Sequence, residues 1–241
     1  MFDLAQYKKE THNFTTKGRR TRHGIQISAL EYFLWLLVGR AWSWIYGTRL
    51  KDKNDAFNPL MRVPARFEQK HVERCRVFAN REEMLKSFRQ HTIWAEIGTY
   101  EGAFARKIID LCEPSHLDLM DLTFDLVKAR GYVQETDTVS FYVEGDSSTS
   151  LLGQPDNKYD YIYIDAGHDL IDVARDVEAA TQKLKRDGVL IFNDYISFSY
   201  IDMRPYGIVP VVNSLVASGK WEVACFAFHF KMYCDIALRQ V

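Results

Sequence analysis

The chain has 241 residues, 47% of them hydrophobic, and is therefore long enough to bury the core of one α/β domain with an appended segment. Its net charge is −1, but residues 1–86 hold 17 Lys/Arg against 9 Asp/Glu, and the remainder holds 14 against 23. This division predicts a basic N-terminal segment beside an acidic body. The four cysteines have no CxxC spacing and lie in apolar contexts, which indicates reduced thiols in a cytosolic protein rather than a disulfide framework.

The first apolar run extends from about residue 27 to residue 46. No small-residue cleavage site follows it, so a secretory signal is not expected. Glu31 and Arg40 point to roughly opposite sides of such a helix, and each costs about 2–3 kcal/mol near the centre of a membrane span. A membrane span, in-plane attachment to an anionic membrane surface, and packing on the body or on a second subunit are the alternatives. We favour an interaction helix, with peripheral membrane contact or homo-oligomerisation through residues 27–47.

A polar linker then leads into a charged segment, residues 66–78, which is predicted to be helical. Asn80 with Glu83 three residues later resembles a capping box for a helix over residues 81–90. The predicted division is therefore an N-terminal basic and apolar helical extension, residues 1–86, and a body, residues 87–241.

The body alternates between strands and helices. Strands are predicted at 92–97, 116–120, 138–143, 159–165 and 188–193, and helices at 103–111, 123–130, 148–152, 170–184 and 208–217. Short strands that are apolar on both faces predict a parallel sheet covered on both sides. Residues 221–227 and 231–238 predict a final hairpin. The fold class is thus α/β, a doubly wound, mostly parallel seven-stranded sheet ending in an antiparallel hairpin.

Polar residues follow each predicted parallel strand. They are Glu96, Asp121, Glu144-Gly145-Asp146-Ser147-Ser148, Asp165-Ala166-Gly167-His168 and Asn193-Asp194. Ligands of open α/β sheets bind beyond the carboxyl ends of the strands, so five polar ends in succession predict one pocket.

The turn after the first parallel strand has two glycines, Gly98 and Gly102, directly before a predicted helix. Glycine allows backbone to approach a ligand or to adopt positive φ, and the following helix N-terminus presents free N–H groups. The acidic Glu96 at the strand end favours a ligand with an ammonium or hydroxyl groups over a pyrophosphate. An ordinary tight turn is the alternative, because a lone Gly-x-x-x-Gly is weak evidence.

Three motifs together resemble class I S-adenosylmethionine (SAM) dependent methyltransferases, above all catechol O-methyltransferase and the bacterial sugar and macrolide O-methyltransferases. Glu96-Ile97-Gly98-Thr99-Tyr100-Glu101-Gly102 is similar to their E-x-G-x-Y-x-G motif. Asp160 to His168 is similar to their D-x-x-x-I-D-G-x-H motif. Lys185 to Ile191 resembles the L-K-P-G-G-x-I entry to the fifth strand, with Arg-Asp in place of Pro-Gly. The resemblance covers residues 92–239.

The resemblance implies a SAM site. Gly98, Tyr100 and Gly102 would pack against the methionine part, with Glu96 near its amino group. Asp121 would accept hydrogen bonds from the ribose hydroxyls, Asp146 and Ser147 would contact the adenine edge, and Asp165 would complete the site. Taken singly, Asp121 or Asp146 is more typical of a solvated loop carboxylate than of a ligand contact.

The resemblance also implies a Mg²⁺ site formed by Asp165, Asn193 and Asp194, although the family's order after the fifth strand is Asp-Asn. Hard oxygen ligands suit Mg²⁺, which lowers the pKa of a bound hydroxyl. The alternative is that these residues only cap turns.

His168 lies where the catechol enzymes have a lysine base. Imidazole titrates near neutral pH and can accept a hydroxyl proton. We therefore predict His168 and Asp165 as the catalytic pair.

The predicted function is SAM-dependent O-methylation of a small molecule, with Mg²⁺ assistance as an option, in the cytoplasm or at the membrane periphery. Nucleic acid is not an expected partner. The alternatives are a metal-independent N-methyltransferase, or a non-catalytic SAM-fold protein that docks to a membrane or a partner through its N-terminal helix.

Deleting residues 1–50 is expected to change the oligomeric state or the binding to anionic vesicles while leaving SAM affinity intact, because the apolar run lies outside the predicted SAM motifs. Light scattering, vesicle sedimentation and calorimetry with SAM would check this. Loss of SAM binding would instead make the run part of the cover of the site.

Overall fold

The computed structural model describes residues 65–143 and 145–241. The predicted apolar run and most of the predicted N-terminal extension lie outside these residues. Within the described ranges, no helix combines the length and the apolar character that crossing a membrane requires.

The described residues begin with a short 3₁₀ turn (Gln69–His71) and form ten strands and six α-helices. The strands are β1 (Arg76–Phe78), β2 (Ile93–Ile97), β3 (His116–Met120), β4 (Val139–Tyr142), β5 (Tyr159–Ile164), β6 (Leu184–Phe192), β7 (Phe198–Ser199), β8 (Arg204–Pro205), β9 (Trp221–Ala227) and β10 (Asp235–Gln240). The helices are α1 (Arg81–Leu85), α2 (Ala103–Cys112), α3 (Asp125–Arg130), α4 (Ser147–Leu152), α5 (Leu170–Lys183) and α6 (Ile208–Ala217).

Eight strands form the main sheet in the order β1-β9-β10-β6-β5-β2-β3-β4, and β7 pairs with β8 separately. β10 runs antiparallel to both β9 and β6, whereas the other pairings of the main sheet are parallel. The predicted α/β class, mostly parallel sheet and final antiparallel hairpin are confirmed. The sheet has one strand more than predicted, because β1 adds to the edge beside β9.

The sheet is covered on both faces, as its two-sided apolar strands require. Alternate residues of β5 show this clearly, since Ile162 packs in the cluster that contains α5 and α6, and Tyr163 packs in the cluster that contains α1, α2 and α3. Side chains that alternate along a strand point to opposite faces, so each face of the sheet needs its own helical layer.

The parallel register aligns the carboxyl ends of the central strands. Ile97 of β2 pairs with Met120 of β3 and with Ile164 of β5, and Ile164 pairs with Phe192 of β6. The antiparallel β10 begins at the same edge, where Ile236 pairs with Phe192. The residues that follow β2, β3, β5 and β6 and the first residue of β10 therefore converge.

The charged segment 66–78 was predicted to be one helix, and this prediction is wrong. The structure has only the 3₁₀ turn there, followed by β1, which pairs with Cys225 to Ala227 of β9. Sheet pairing with a distant strand overrides the local helical pattern. The predicted cap at Asn80 is correct, since its side chain accepts a hydrogen bond from Glu83 N and starts α1.

Candidate functional site

A cavity of about 350 Å³ opens at the carboxyl edge of the sheet. It is lined by Gly98, Tyr100, Met120, Asp121, Leu122, Asp146, Ser147, Ser148, Asp165, Ala166, Gly167, Asp172, Arg175 and Asp176. Six of the predicted cofactor residues are among them, namely Gly98, Tyr100, Asp121, Asp146, Ser147 and Asp165. Glu96 and Gly102 lie outside the lining.

The turn after β2 passes very close to the end of β5. A Cβ built on Gly98, whose φ is +87°, would lie 2.2 Å from the carbonyl oxygen of Asp165. Gly102 has φ +83° and begins α2, and a Cβ there would lie 3.3 Å from Cγ1 of Val127. Both positions need glycine for their backbone conformation, but only Gly98 is closed by backbone atoms on the cavity wall.

Asp121 is held in place by two backbone donors. Its Oδ2 accepts a hydrogen bond from Tyr100 N at 2.7 Å, and its Oδ1 accepts one from Leu122 N at 2.6 Å. The carboxylate therefore bridges the ends of β2 and β3 at the cavity. Tyr100 itself has φ +53°, an uncommon conformation that clusters at ligand-binding turns.

Asp146 acts as the N-cap of α4. Its Oδ1 accepts hydrogen bonds from Thr149 N at 2.9 Å and from the hydroxyls of Thr149 and Ser148, and these bonds lower the pKa of Asp146. Ser147 donates to Oδ1 of Asp176 at 2.6 Å, which connects α4 to α5 beside the cavity. The first residues of α4 thus lie at the cavity wall, where their backbone N–H groups can donate hydrogen bonds to a polar ligand.

Glu96 lies buried beneath the turn and is 1% exposed. Its Oε2 has no hydrogen-bond partner among the described residues. Burial, followed by the charge of Asp165, raises the pKa of Glu96 well above its usual value. A buried polar atom without a partner is costly.

The cavity lining is acidic. It contains the carboxyl groups of Asp121, Asp146, Asp165, Asp172 and Asp176 and one guanidinium, that of Arg175. Such a lining favours a ligand with positive charge. The three α5 residues were missed by sequence reasoning, although their i, i+3 and i+4 spacing would place them on one helix face.

Asp165, His168, Asn193 and Asp194 converge beside this cavity. Asn193 donates its amide Nδ2 hydrogen to Asp165 Oδ1 at 2.6 Å. Burial raises the pKa of Asp165 to about 8 and that of Asp194 to about 6, and the charge of Asp194 adds to the shift of Asp165. These predicted site residues are thus brought together by the ends of β5 and β6.

His168 lies between two carboxyl groups. Its Nε2 is 3.7 Å from Asp165 Oδ1 and 3.6 Å from Asp194 Oδ2. The ring stacks on Tyr206 at 4.3 Å between centroids, and the backbone carbonyl of His168 accepts a hydrogen bond from Gly207 N. Burial, with a contribution from the Arg204 charge, lowers the pKa of His168, so the imidazole is neutral at pH 7. Both its position and its protonation state suit a proton acceptor.

Arg81, at the start of α1, enters the same cluster and was not predicted. Its Nη2 lies 2.9 Å from Asn193 Oδ1 and 2.9 Å from Asp235 Oδ1. Asp235, the first residue of β10, is 1% exposed and accepts a hydrogen bond from the hydroxyl of Tyr163 at 2.9 Å. Arg81 was missed because β1, which brings it to this edge, was predicted to be part of a helix.

The residues predicted for Mg²⁺ do not fit a metal ion in this arrangement. The Asn193 oxygen, the ligand atom that the site would need, accepts from Arg81, and the Asn193 amide hydrogen points at Asp165. Within residues 65–143 and 145–241, no group of three or more His, Cys, Asp or Glu side chains is arranged to hold a metal.

A family model described as a methyltransferase domain matches residues 95–195, from β2 to the loop after β6. The curated malonyl-[acyl-carrier protein] O-methyltransferase 2 of Ilyobacter polytropus is 26% identical over 111 residues, which are 45% of this chain and 41% of that protein. The chain thus spans about two fifths of the length of this relative.

Solved structures share the fold. An S-adenosylmethionine dependent methyltransferase from Mesorhizobium loti has a TM-score of 0.50 at 12% identity, covering 66% of this chain and 96% of that chain. The pyocyanin biosynthetic protein PhzM has a TM-score of 0.50 at 12% identity, covering 68% of this chain and 55% of its own. The chain therefore shares the fold of SAM-dependent methyltransferases.

Replacing Gly98 by alanine is expected to destabilise the fold more than the same change at Gly131. Both residues have positive φ, so each substitution carries about 1–2 kcal/mol of backbone strain. Only at Gly98 would the new Cβ also meet the Asp165 carbonyl, since nothing lies within 4 Å of the Cβ position at Gly131. Urea unfolding of Gly98→Ala and Gly131→Ala would measure the difference, and equal losses would contradict the packing argument.

Proposed function

We propose that this chain is a SAM-dependent methyltransferase that methylates a hydroxyl group of a small molecule. The observation that carries the proposal is the acidic cavity that brings the Gly98 turn, Asp121 and Asp165 together beside His168. The matched methyltransferase domain and the distant O-methyltransferase relative support it.

The cavity residues fit the parts of the cofactor. The Gly98 turn would receive the methionine part, while Glu96 lies buried beneath this turn and outside the cavity lining. Asp121, already oriented by two backbone N–H groups, would accept from the ribose hydroxyls. The N-terminus of α4 at Asp146 and Ser147 would meet the adenine edge.

When bound, the cofactor supplies an electrophilic methyl group on a sulfonium. The chain's own contribution is to hold the acceptor in line with that methyl and to remove a proton from it. Nε2 of His168 would accept the hydroxyl proton, and Asp194, 3.6 Å away, would stabilise the resulting imidazolium. Tyr206, stacked on the ring, keeps the imidazole in this orientation.

The neutral His168 favours a hydroxyl acceptor, because a hydroxyl must lose its proton to become a good nucleophile. Transfer to nitrogen without a metal is compatible with the Arg81 arrangement and is the second candidate. Mass spectrometry of the methylated product would separate the two. The expectations of a cytoplasmic location and of no nucleic-acid partner stay predictions.

Calorimetry with SAM tests the cofactor assignment. We expect the wild type to bind SAM, and Asp121→Ala to bind it at least about tenfold more weakly, because two hydrogen bonds to a charged group are lost. Asp125→Ala is a matched control, since Asp125 is exposed in the first turn of α3 and does not line the cavity. A wild type that gives no heat with SAM would overturn the proposed function.

His168→Gln is expected to lower kcat by about 10²–10⁴-fold with little change in SAM affinity, as loss of a general base does. In the wild type, kcat/KM should fall as the pH falls through the His168 pKa, because only the neutral imidazole accepts a proton. That pKa is lowered, so the acidic limb should lie below 6.5. A variant that keeps both the rate and the acidic limb would exclude His168 as the base.

A further inference from the structure

We propose that Arg81 provides, from within the chain, the positive charge that a divalent ion bound at Asp165, Asn193 and Asp194 would otherwise supply, and that it positions Asp165 through Asn193. The inference rests on the proposed function and specifies its chemistry: methyl transfer at this site needs no divalent ion. Arg81 is a positioning residue in this scheme, because its contacts are to side chains of the cluster.

The Arg81 guanidinium lies among the acidic side chains at the ends of β5 and β6 and at the start of β10. Nη2 of Arg81 contacts Asn193 Oδ1 and Asp235 Oδ1, each at 2.9 Å, and the carbonyl oxygen of Tyr233 at 3.4 Å. The Arg81 side chain is 18% exposed and that of Asp235 is 1% exposed. The contact with Asp235 is an ion pair, since Asp235 Oδ1 has no hydrogen-bond partner among the described residues, whereas Asn193 and Tyr233 accept hydrogen bonds from Nη2. Removing one partner of a buried ion pair leaves a buried charge without compensation.

Arg81 fixes which way the Asn193 amide points. Because Nη2 is a donor, the Asn193 oxygen must face Arg81, 2.9 Å away. The Asn193 nitrogen must then face Asp165, where its hydrogen bond is 2.6 Å long. Asp165 lines the cavity, so Arg81, acting through Asn193, orients a carboxyl group of the cavity wall.

Arg81 also balances the negative charge there. The acids at the ends of β5 and β6 and at the start of β10 face one another, and the Arg81 charge opposes the rise in pKa of Asp165, Asp194 and Asp235. Burial disfavours the charged guanidinium, yet Tyr163 and these acids raise the pKa of Arg81. The guanidinium is therefore permanently charged and cannot be released as a bound metal can.

The fold delivers Arg81 to this point. β1 is parallel to β9, Asn80 caps α1 immediately after it, and the guanidinium lies 5.6 Å from the centre of the Phe104 ring. The helix cap fixes the backbone at Arg81, and the cation–π contact with Phe104 helps to hold its side chain.

Titration with Mn²⁺, followed by its paramagnetic resonance signal, tests the absence of a metal requirement directly. The wild type, with and without saturating SAM, is expected to leave Mn²⁺ free at concentrations up to about 1 mM, which covers the affinity range of most dedicated divalent-ion sites. One equivalent of Mn²⁺ bound more tightly than about 100 µM would overturn the proposal. This readout does not depend on turnover or on SAM binding, so it remains decisive even if the proposed function fails.

The positioning role is tested by SAM affinity in Arg81→Met and in the double variant Arg81→Met/Asp235→Asn. The single variant leaves the buried Asp235 uncompensated and can fail to fold, whereas the double variant removes that charge. Because Asn193 loses its orienting donor in both, the folded double variant is expected to bind SAM about 10–100-fold more weakly than the wild type. Lys107→Met, which removes an exposed cation of α2 that does not line the cavity, is the control and should bind SAM as the wild type does. A folded double variant with wild-type affinity would refute the role.

Discussion

The parallel register of β2, β3, β5 and β6 is the constraint on which the site depends. Because these strands end at the same edge of the sheet, the residues that follow them lie close together. Four of these residues carry a carboxyl or amide group, namely Asp121, Asp165, Asn193 and Asp194. The backbones of β2 and β5 are in close contact just after these strands, since a Cβ on Gly98 would overlap the carbonyl group of Asp165. Every other feature of the site either lines the space around these residues or offsets the charge within it.

Much of this could be predicted from the sequence, because the relevant signals are local. A glycine turn after an apolar strand and an acid at the end of each strand suffice to indicate Gly98, Asp121 and Asp165, and the strand–helix alternation indicates the sheet. Asp146 and Ser147 were predicted equally well from their position after β4. The lining residues of α5 were missed because a helix face becomes a cavity wall only when its packing partner is known.

The orientation of the side chains at the predicted metal site could not be predicted from the local sequence. Asp165, Asn193 and Asp194 are reasonable oxygen ligands by type, but the direction of the Asn193 amide depends on Arg81, 112 residues earlier in the chain. That arginine follows a three-residue edge strand whose own sequence favours a helix, and only pairing with β9 makes it a strand. A residue's type can be read from the sequence, whereas its orientation depends on contacts made across the fold.

The antiparallel β10 has a consequence for how the protein is made. Asp235, which pairs with Arg81, is synthesised 154 residues after it, whereas Arg81 precedes nearly all of the described sheet. During synthesis the arginine has no buried acid to meet until the final hairpin closes, so the site is completed after the rest of the sheet. A chain that stops before β10 would keep the glycine turn and Asp121 yet lack the partner that holds the cation in place.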